Sequence, residues 1–305
     1  MSGDRGGESA PEPGSGPSDV FRLDGKRVLV TGGTRGLGEQ IVRLLAAAGA
    51  RVATCARTTE DLRALEASLS TQSRTEPRTE QDRERSERMR GPGRAEGRAV
   101  RPGALYTEAL DLTAPDRLEA FVQAAAERFG GLDGVVACAG GARGRGLEEA
   151  NARDWSATWE LNVGHAARLI RAAVPQLRRS GGGSVVVVAS ISGWKPGPQA
   201  QYGAAKAAQI HLAASLAREL GPDGIRVNAV SPGSMLIPGK RWDRMRAEEP
   251  ERYARFTAEI PSGELVTPLE VAQVVAFLLS DASSGVSGAH LPVDRAQNAP
   301  TPNGY

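Results

Sequence analysis

The chain has 305 residues, 40% hydrophobic and 24% charged, the balance of a globular protein rather than of a disordered or fibrous one. Aromatic residues make up only 4%, so the core has to be built from Ala, Val, Leu and Ile, which argues against an aromatic-rich platform for nucleic acid. Thirty-eight basic side chains face thirty-six acidic ones, so a basic pI of about 8.7 does not by itself imply a polyanionic partner.

In chain order, residues 1–22 are Gly, Pro and Ser with scattered acids, a composition that cannot offset the entropy of ordering and reads as a tail. The tail has no apolar core of a signal peptide and is not the acid-poor kind of a transit peptide, so a cytoplasmic location is expected. Lys26 to Thr31 is a short apolar strand, followed by a Gly-rich turn and a helix from Glu39 to Ala48 with Ile41, Leu44, Leu45 and Ala48 on one stripe. Arg51 to Ala56 is the next strand. The segment 71–103 then carries nine arginines against six acids and almost nothing apolar, which reads as a disordered surface insertion, or else as a docking arm for an anionic partner. Its net charge of +3 leaves the remainder of the chain at −1, so the basic pI belongs to that segment.

Beyond it, strands are expected near Leu105 to Leu110, at Gly134 to Ala139, Val185 to Ala189, Ile225 to Val230 and Ala289 to Val293. Helices are expected from Pro115 to Phe129, Arg153 to Leu177, Tyr202 to Leu220 and Pro268 to Leu279. Repeated βα units with apolar strands imply an α/β fold, a doubly wound parallel sheet of Rossmann type, forming a single domain over 23–295 with a C-terminal tail at 296–305. No apolar run approaches the roughly 18 residues that a membrane helix needs, so no membrane span is expected. Cys55 and Cys138 are too few for a disulfide framework, and neither has a neighbour at metal-ligand spacing, so no metal is expected. They should end strands on either side of the first strand, roughly 10 Å apart and too far for a disulfide.

The turn Thr31-Gly32-Gly33-Thr34-Arg35-Gly36-Leu37-Gly38 joins the first strand to the first helix. Glycines there let the backbone approach a pyrophosphate, whose charge rests on the N–H groups and positive end of the following helix. Downstream, Tyr202-Gly203-Ala204-Ala205-Lys206 places a phenol and an ammonium one helical turn apart. The spacing T-G-x-x-x-G-x-G, with Y-x-x-x-K after it and βα units between, resembles the short-chain dehydrogenase/reductase family over nearly all of Asp24 to Val293 apart from the insertion. That resemblance implies a nicotinamide dinucleotide held by Gly32, Thr34, Arg35, Gly36, Leu37 and Gly38. It further implies contacts from Tyr202, Lys206, Pro232 and Gly233, with Asp111 and Leu112 against the adenine. An acidic residue at the end of the second strand would favour NAD by accepting from the ribose and repelling a 2′-phosphate. This chain has Ala56 there, with Arg57 next and Arg35 in the turn, two guanidiniums able to flank a phosphate, so NADP(H) is the expected cofactor. At the end of the fourth strand the chain reads Ala137-Cys138-Ala139-Gly140 where the family carries Asn-Asn-Ala-Gly, so amides that tie neighbouring strands there must be replaced or lost.

A phenol with a pKa near 10 is a poor proton donor and acceptor at neutral pH unless its phenolate is stabilised, and Lys206 one turn away supplies that stabilisation. Only four of the thirty-eight basic residues are lysines, which makes the choice of a compact ammonium here notable. The third catalytic group should be a hydroxyl that steadies the carbonyl oxygen of the substrate: Ser190, at the carboxyl edge of the sheet, with Ser192 as its rival. Asn162, in Glu160-Leu161-Asn162-Val163, matches the family's helix asparagine, which holds a water linking the lysine to solvent. Trp194 and Met235 are the candidates for substrate contact, within the loop after Ser190 and the segment after Gly233 that covers the site in the family. The function so implied is NADPH-dependent reduction of a ketone, including a 3-oxoacyl thioester or ketide, on a small-molecule or carrier-tethered substrate. The alternatives are oxidation of a polyol or other secondary alcohol, and a non-catalytic dinucleotide-binding scaffold. The resemblance also implies a homodimer or homotetramer, built on the helices at Arg153 to Leu177 and Tyr202 to Leu220, and no nucleic acid is expected.

Overall fold

The computed structural model describes residues 21–72 and 105–298. Residues 1–20 of the tail expected over 1–22, the Arg-rich segment from 73 and the chain from 299 lie outside the described residues. Seven parallel strands form one sheet in the order β3-β2-β1-β4-β5-β6-β7: β1 (Arg27–Thr31), β2 (Arg51–Ala56), β3 (Leu105–Ala109), β4 (Gly134–Ala137), β5 (Gly183–Val188), β6 (Ile225–Pro232) and β7 (His290–Val293). The helices are α1 (Gly36–Ala47), α2 (Thr59–Gln72), α3 (Pro115–Phe129), α4 (Ala152–Trp159), α5 (His165–Arg179), α6 (Ala200–Leu220), α7 (Arg241–Glu248), α8 (Pro250–Ala258) and α9 (Pro268–Leu279).

The strands are apolar on both sides because helices cover both faces. Leu29, Val135, Val185 and Val227 pack with Leu118 and Phe121 of α3 and Leu169, Ala173 and Leu177 of α5. Their neighbours Val28, Val30, Val136 and Val186 point the other way, onto Ile41 and Leu45 of α1 and Val271, Val275 and Leu278 of α9. All of these residues are buried, and each Leu, Ile, Val or Phe among them contributes about 2 kcal/mol by leaving water. Helix starts are written locally: Asn151 and Asp154 form a reciprocal cap on α4, as do Thr267 and Glu270 on α9, and Pro115 and Pro268 stand in first turns where no N–H is needed.

Three features differ from the sequence expectation. The helix expected from Arg153 to Leu177 is interrupted by a π-helical turn at Glu160–Gly164, which separates α4 from α5. There the Asn162 amide donates to the Thr158 carbonyl at 2.7 Å, competing with the backbone ladder, and Gly164 leaves room for the Glu160 carboxylate, which a Cβ would meet at 2.6 Å. Helix α2 has no counterpart in the sequence reading, because its charge masks a narrow apolar stripe of buried Leu62, Leu65 and Leu69; α7 and α8 fall in the segment after Gly233, for which the sequence reading set no helix bounds. Past residue 295 the chain forms a turn through Asn298, with the Asp294 carboxylate accepting from the N–H groups of Ala296 (3.1 Å) and Asn298 (3.2 Å). Arg295 and Ala296 take left-handed backbone angles (φ +51° and +62°).

The strand order reverses direction between β1 and β4. Chains leaving the carboxyl ends of those two strands go to opposite faces, opening a crevice above the sheet that is the binding place in folds of this topology.

Candidate active site

The crevice is a cleft of about 980 Å³. One wall is the turn between β1 and α1. Gly32 adopts φ +73° and sits so close to β4 that a Cβ would meet the Ala139 Cα at 3.1 Å, while a Cβ on Gly38 would fall 2.0 Å from the Gly32 carbonyl oxygen. The backbone thus folds back on itself with no room for side chains. Arg35 at the start of α1 supplies no side-chain cap, so the first N–H groups of the helix keep their capacity for an anion. Gly32, Thr34, Arg35, Leu37 and Gly38 all line the cleft. Gly36 does not; with φ +55° it begins the helix, and Ile237 packs over it, 3.3 Å from where a Cβ would stand.

One end of the cleft lies beyond the carboxyl ends of β2 and β3. Arg57, Asp111 and Leu112 line the cleft there, as do Thr58 and Asp61, which sequence reasoning did not single out. Arg35 donates to the Asp61 carboxylate at 2.6 Å, and the Thr58 hydroxyl donates to the same oxygen at 2.7 Å. These two hydrogen bonds hold the Asp61 carboxyl below its ordinary range. Asp111 is likewise held low, by the backbone N–H and then the hydroxyl of Thr113 at 2.9 and 2.8 Å. Thr31 ties β1 to the end of β4: its hydroxyl oxygen accepts from the Cys138 N–H at 3.1 Å and lies 3.4 Å from buried His165. Both cysteines are free, and burial pushes each thiol up to about 12.

The far wall brings together a serine, a tyrosine and a lysine. Strand β5 ends at Val188, and Ser190 follows in extended conformation, its oxygen accepting the Ser192 N–H at 3.1 Å and its hydroxyl hydrogen-bonded to Tyr202. Ser190 lines the cleft and Ser192 does not. Tyr202 and Lys206 rise from one face of α6, with the Lys206 ammonium 5.5 Å from the centre of the phenol ring. Burial raises the Tyr202 phenol above its ordinary value, and the bond to Ser190 works against that rise. Lys206 is 2% exposed, and burial brings its ammonium down to about 8. It donates to the Val188 carbonyl at 2.9 Å and to Gln209 Oε1 at 2.8 Å, and Gln209 Nε2 donates in turn to the Asn162 carbonyl at 2.8 Å.

Asn162 is fully buried and stands behind the cleft rather than in its lining. Its side-chain amide is taken up by the Gly141 and Thr158 carbonyls (2.8 and 2.7 Å) and by the Gly141 N–H (3.2 Å). Pro232, Gly233 and Met235 line the cleft beyond the end of β6, Met235 held by a bridge to Val266. Gly233 is tied to β7 by its N–H, which donates to the Val293 carbonyl at 3.0 Å, and the adjacent Ser234 is held by Gln297 through a pair of hydrogen bonds. The expectation for Trp194 as a pocket wall is not met. Its half-exposed indole lies outside the cleft lining and packs edge-on against His290, 5.4 Å between ring centres, because the 3₁₀ turn after Ser190 carries it past the rim. Among the described residues no group of three or more His, Cys, Asp or Glu is placed to hold a metal, and no helix is long and apolar enough to cross a membrane.

A glycine turn with open helix N–H groups at one end, a cleft of dinucleotide size, and a Ser-Tyr-Lys group at the other end together fit a nicotinamide dinucleotide. Residues 26–90 match the family described as short chain dehydrogenase, and residues 88–295 match the one described as enoyl-(acyl carrier protein) reductase. The chain is 36% identical over 274 residues to isoepoxydon dehydrogenase patN of Penicillium expansum, covering 89% of this chain and 94% of that protein. It is 31% identical over 275 residues to the 3-oxoacyl-[acyl-carrier-protein] reductase FabG of Vibrio cholerae, covering 90% and 98%. A solved short-chain type dehydrogenase/reductase from Mycobacterium ulcerans superimposes with a TM-score of 0.77 at 28% identity, covering 90% of each chain. The reversal at β1 and β4, the glycine turn and the paired Tyr202 and Lys206 agree with these matches across the whole domain: the chain belongs to the short-chain dehydrogenase/reductase family.

Proposed function

We propose that this protein is an NADP(H)-dependent oxidoreductase that reduces a ketone to a secondary alcohol, with Tyr202 as proton donor. The observation that carries the reading is the convergence of Ser190, Tyr202 and Lys206 on one wall of the cleft, opposite the glycine turn. The nicotinamide, when bound, supplies the hydride to the carbonyl carbon. Tyr202 gives its proton to the carbonyl oxygen, and the Ser190 hydroxyl donates a hydrogen bond to the same oxygen as charge develops. Lys206, its ammonium 5.5 Å from the centre of the phenol ring, holds the phenolate that remains by charge attraction. Asn162 keeps α4, α5 and the loop at Gly141 in register behind the lysine.

Preference for NADP(H) rests on Ala56 at the end of β2 and on the two guanidiniums of Arg35 and Arg57 in the cleft wall. Asp61 is the counter-ion that a 2′-phosphate has to displace from Arg35. A ketone substrate, free or carrier-tethered, is supported by a relative named as a reductase of 3-oxoacyl groups on a carrier protein. A homo-oligomer is supported by Trp155 and Trp159, partly exposed one turn apart on α4.

The test is oxidation of NADPH and of NADH across ketones and 3-oxoacyl thioesters, with Tyr202→Phe as control. The proposal expects turnover with NADPH, loss of turnover but not of cofactor binding in Tyr202→Phe, and reversed cofactor preference when Ala56→Asp is combined with Arg57→Gln. Activity in Tyr202→Phe within a few-fold of the parent would overturn the catalytic assignment.

A further inference from the structure

The amide of Gln209 is fully buried, yet both of its ends are in use. Its oxygen accepts from the Lys206 ammonium at 2.8 Å, and its nitrogen donates to the Asn162 carbonyl at 2.8 Å. Turned end for end, the amide would press two donors together at Lys206 and two acceptors together at Asn162, so its orientation is fixed by its partners. Tyr202, Lys206 and Gln209 lie on successive turns of one face of α6. The Asn162 carbonyl that receives the amide belongs to the π-helical turn.

An ammonium has three N–H donors. Two of them are bound, to the Val188 carbonyl at the end of β5 and to Gln209, in directions fixed by a strand and by a helix. Lys206 itself lines the cleft, which leaves the third N–H for that side. On the cleft side of the ammonium, a Cβ on Gly140 would approach Nζ at 3.1 Å, so there is little space for the ammonium to swing toward β4. The titratable neighbours facing Lys206 from the packed elements are the Cys138 thiol and His165, both of which burial keeps neutral at pH 7, together with Tyr202. No carboxylate faces the ammonium among the described hydrogen bonds and ion pairs. Neutral acceptors alone hold this charge in place, and Gln209 is the one that a side chain provides.

We propose that Gln209 is a positioning residue for the reaction: its amide clamps Lys206 between the end of β5 and the π-helical turn, keeping it charged and directed at Tyr202 and the cofactor. The inference rests on the reading of Tyr202 and Lys206 as the proton-transfer pair. Without the clamp the buried ammonium loses one of its two acceptors, so it gives up its proton more readily. It also regains freedom to turn from the phenol.

Gln209→Met keeps length and bulk and removes both hydrogen bonds; Gln209→Asn keeps the amide but is one methylene too short to span both partners. The experiment is the pH profile of kcat and kcat/KM for ketone reduction by the full-length parent and both variants, with cofactor Kd from fluorescence quenching and folding checked by circular dichroism. In the parent, the first proton lost from the pair as pH rises is that of Lys206, so the alkaline fall of activity follows it. Gln209→Met is expected to move that fall to lower pH by about one unit, to lower kcat about tenfold, and to leave cofactor Kd within about threefold. Gln209→Asn should shift it in the same direction by less. An alkaline limb at the parent's position in whichever variant folds would overturn the proposal, because a purely structural glutamine would lower stability without moving the limb. A parent that reduces no ketone, or a Tyr202→Phe variant that still does, would instead overturn the reading on which the inference rests.

Discussion

Replacing Lys206 by Met should make the pH dependence of folding stability visibly different from that of the parent. The side chain is buried against the end of β5, and burial brings its ammonium from 10.5 to about 8. In the unfolded chain the same group titrates at its ordinary value, so between about pH 8 and 10.5 the unfolded state binds more protons than the folded one. Stability contributed by this group therefore rises with pH across that window. The cost of keeping the ammonium buried is fully present below pH 8 and gone above 10.5. A displacement of about two and a half units corresponds to about 3 kcal/mol, of which about 2 kcal/mol should be recovered between pH 7 and pH 10. The assay is urea unfolding of both proteins without cofactor at several pH values, the parent's curve being compared with that of Lys206→Met. Subtraction removes the other tyrosines, cysteines and lysines, which are common to the two. The parent should gain about 2 kcal/mol on the variant as pH rises from 7 to 10, while the variant has no turnover at any pH. Curves that run parallel within about 0.5 kcal/mol would refute the argument, since a lysine titrating at its ordinary value makes no such difference.

Three further outcomes follow from the geometry. Gly38→Ala forces a Cβ to within 2.0 Å of the Gly32 carbonyl oxygen, so the phosphate turn must open; cofactor Kd should rise at least tenfold, with a stability loss of about 1–3 kcal/mol seen by urea unfolding. Ser190→Ala should lower kcat by about 100-fold, as expected for a lost donor to a developing oxyanion, whereas Ser192→Ala, outside the cleft, should leave it within a few-fold; steady-state kinetics giving the reverse order would exchange their roles. Ala296→Gly relieves a left-handed backbone position occupied by a residue with a Cβ, and should raise stability by about 1 kcal/mol, read as a higher melting temperature without loss of activity.

The parallel sheet could be read from the sequence because its strands are short apolar runs punctuated by Gly-rich turns, and Pro115 to Phe129 and Pro268 to Leu279 were legible to the residue because proline marks their starts. The glycine turn and Tyr202 with Lys206 were legible because each is a local spacing, of backbone freedom in one case and of a helix face in the other. What escaped depends on partners far away in the chain. Asp61 reads as one more acid at a helix start, and only folding brings it onto Arg35. Gln209 reads as a polar residue in an Ala-rich helix, although its position three residues after Lys206 on the same face was a usable signal. The break at Asn162 was hidden because the apolar stripe of Leu169, Ala173 and Leu177 beyond it, and the absence of any Pro or Gly before Gly164, read as one regular helix. Trp194 shows the opposite failure: nearness to Ser190 in sequence suggested nearness in space, and a single 3₁₀ turn carried the ring away.

The π-helical turn means that the segment from Ala152 to Arg179 holds one residue more than an unbroken α-helical ladder would accommodate. Removing a single residue there, such as Val163, would let the ladder close, and at 3.6 residues per turn α4 would rotate by about 100° relative to α5. The Leu169 stripe on the sheet would stay where it is, while Trp155 and Trp159 would face a different direction and the Asn162 carbonyl would turn back into its own helix. Helix length and site geometry are therefore coupled at this point: the surplus residue acts as a phase shift that lets one continuous stretch of chain serve the sheet with one half and the lysine with the other.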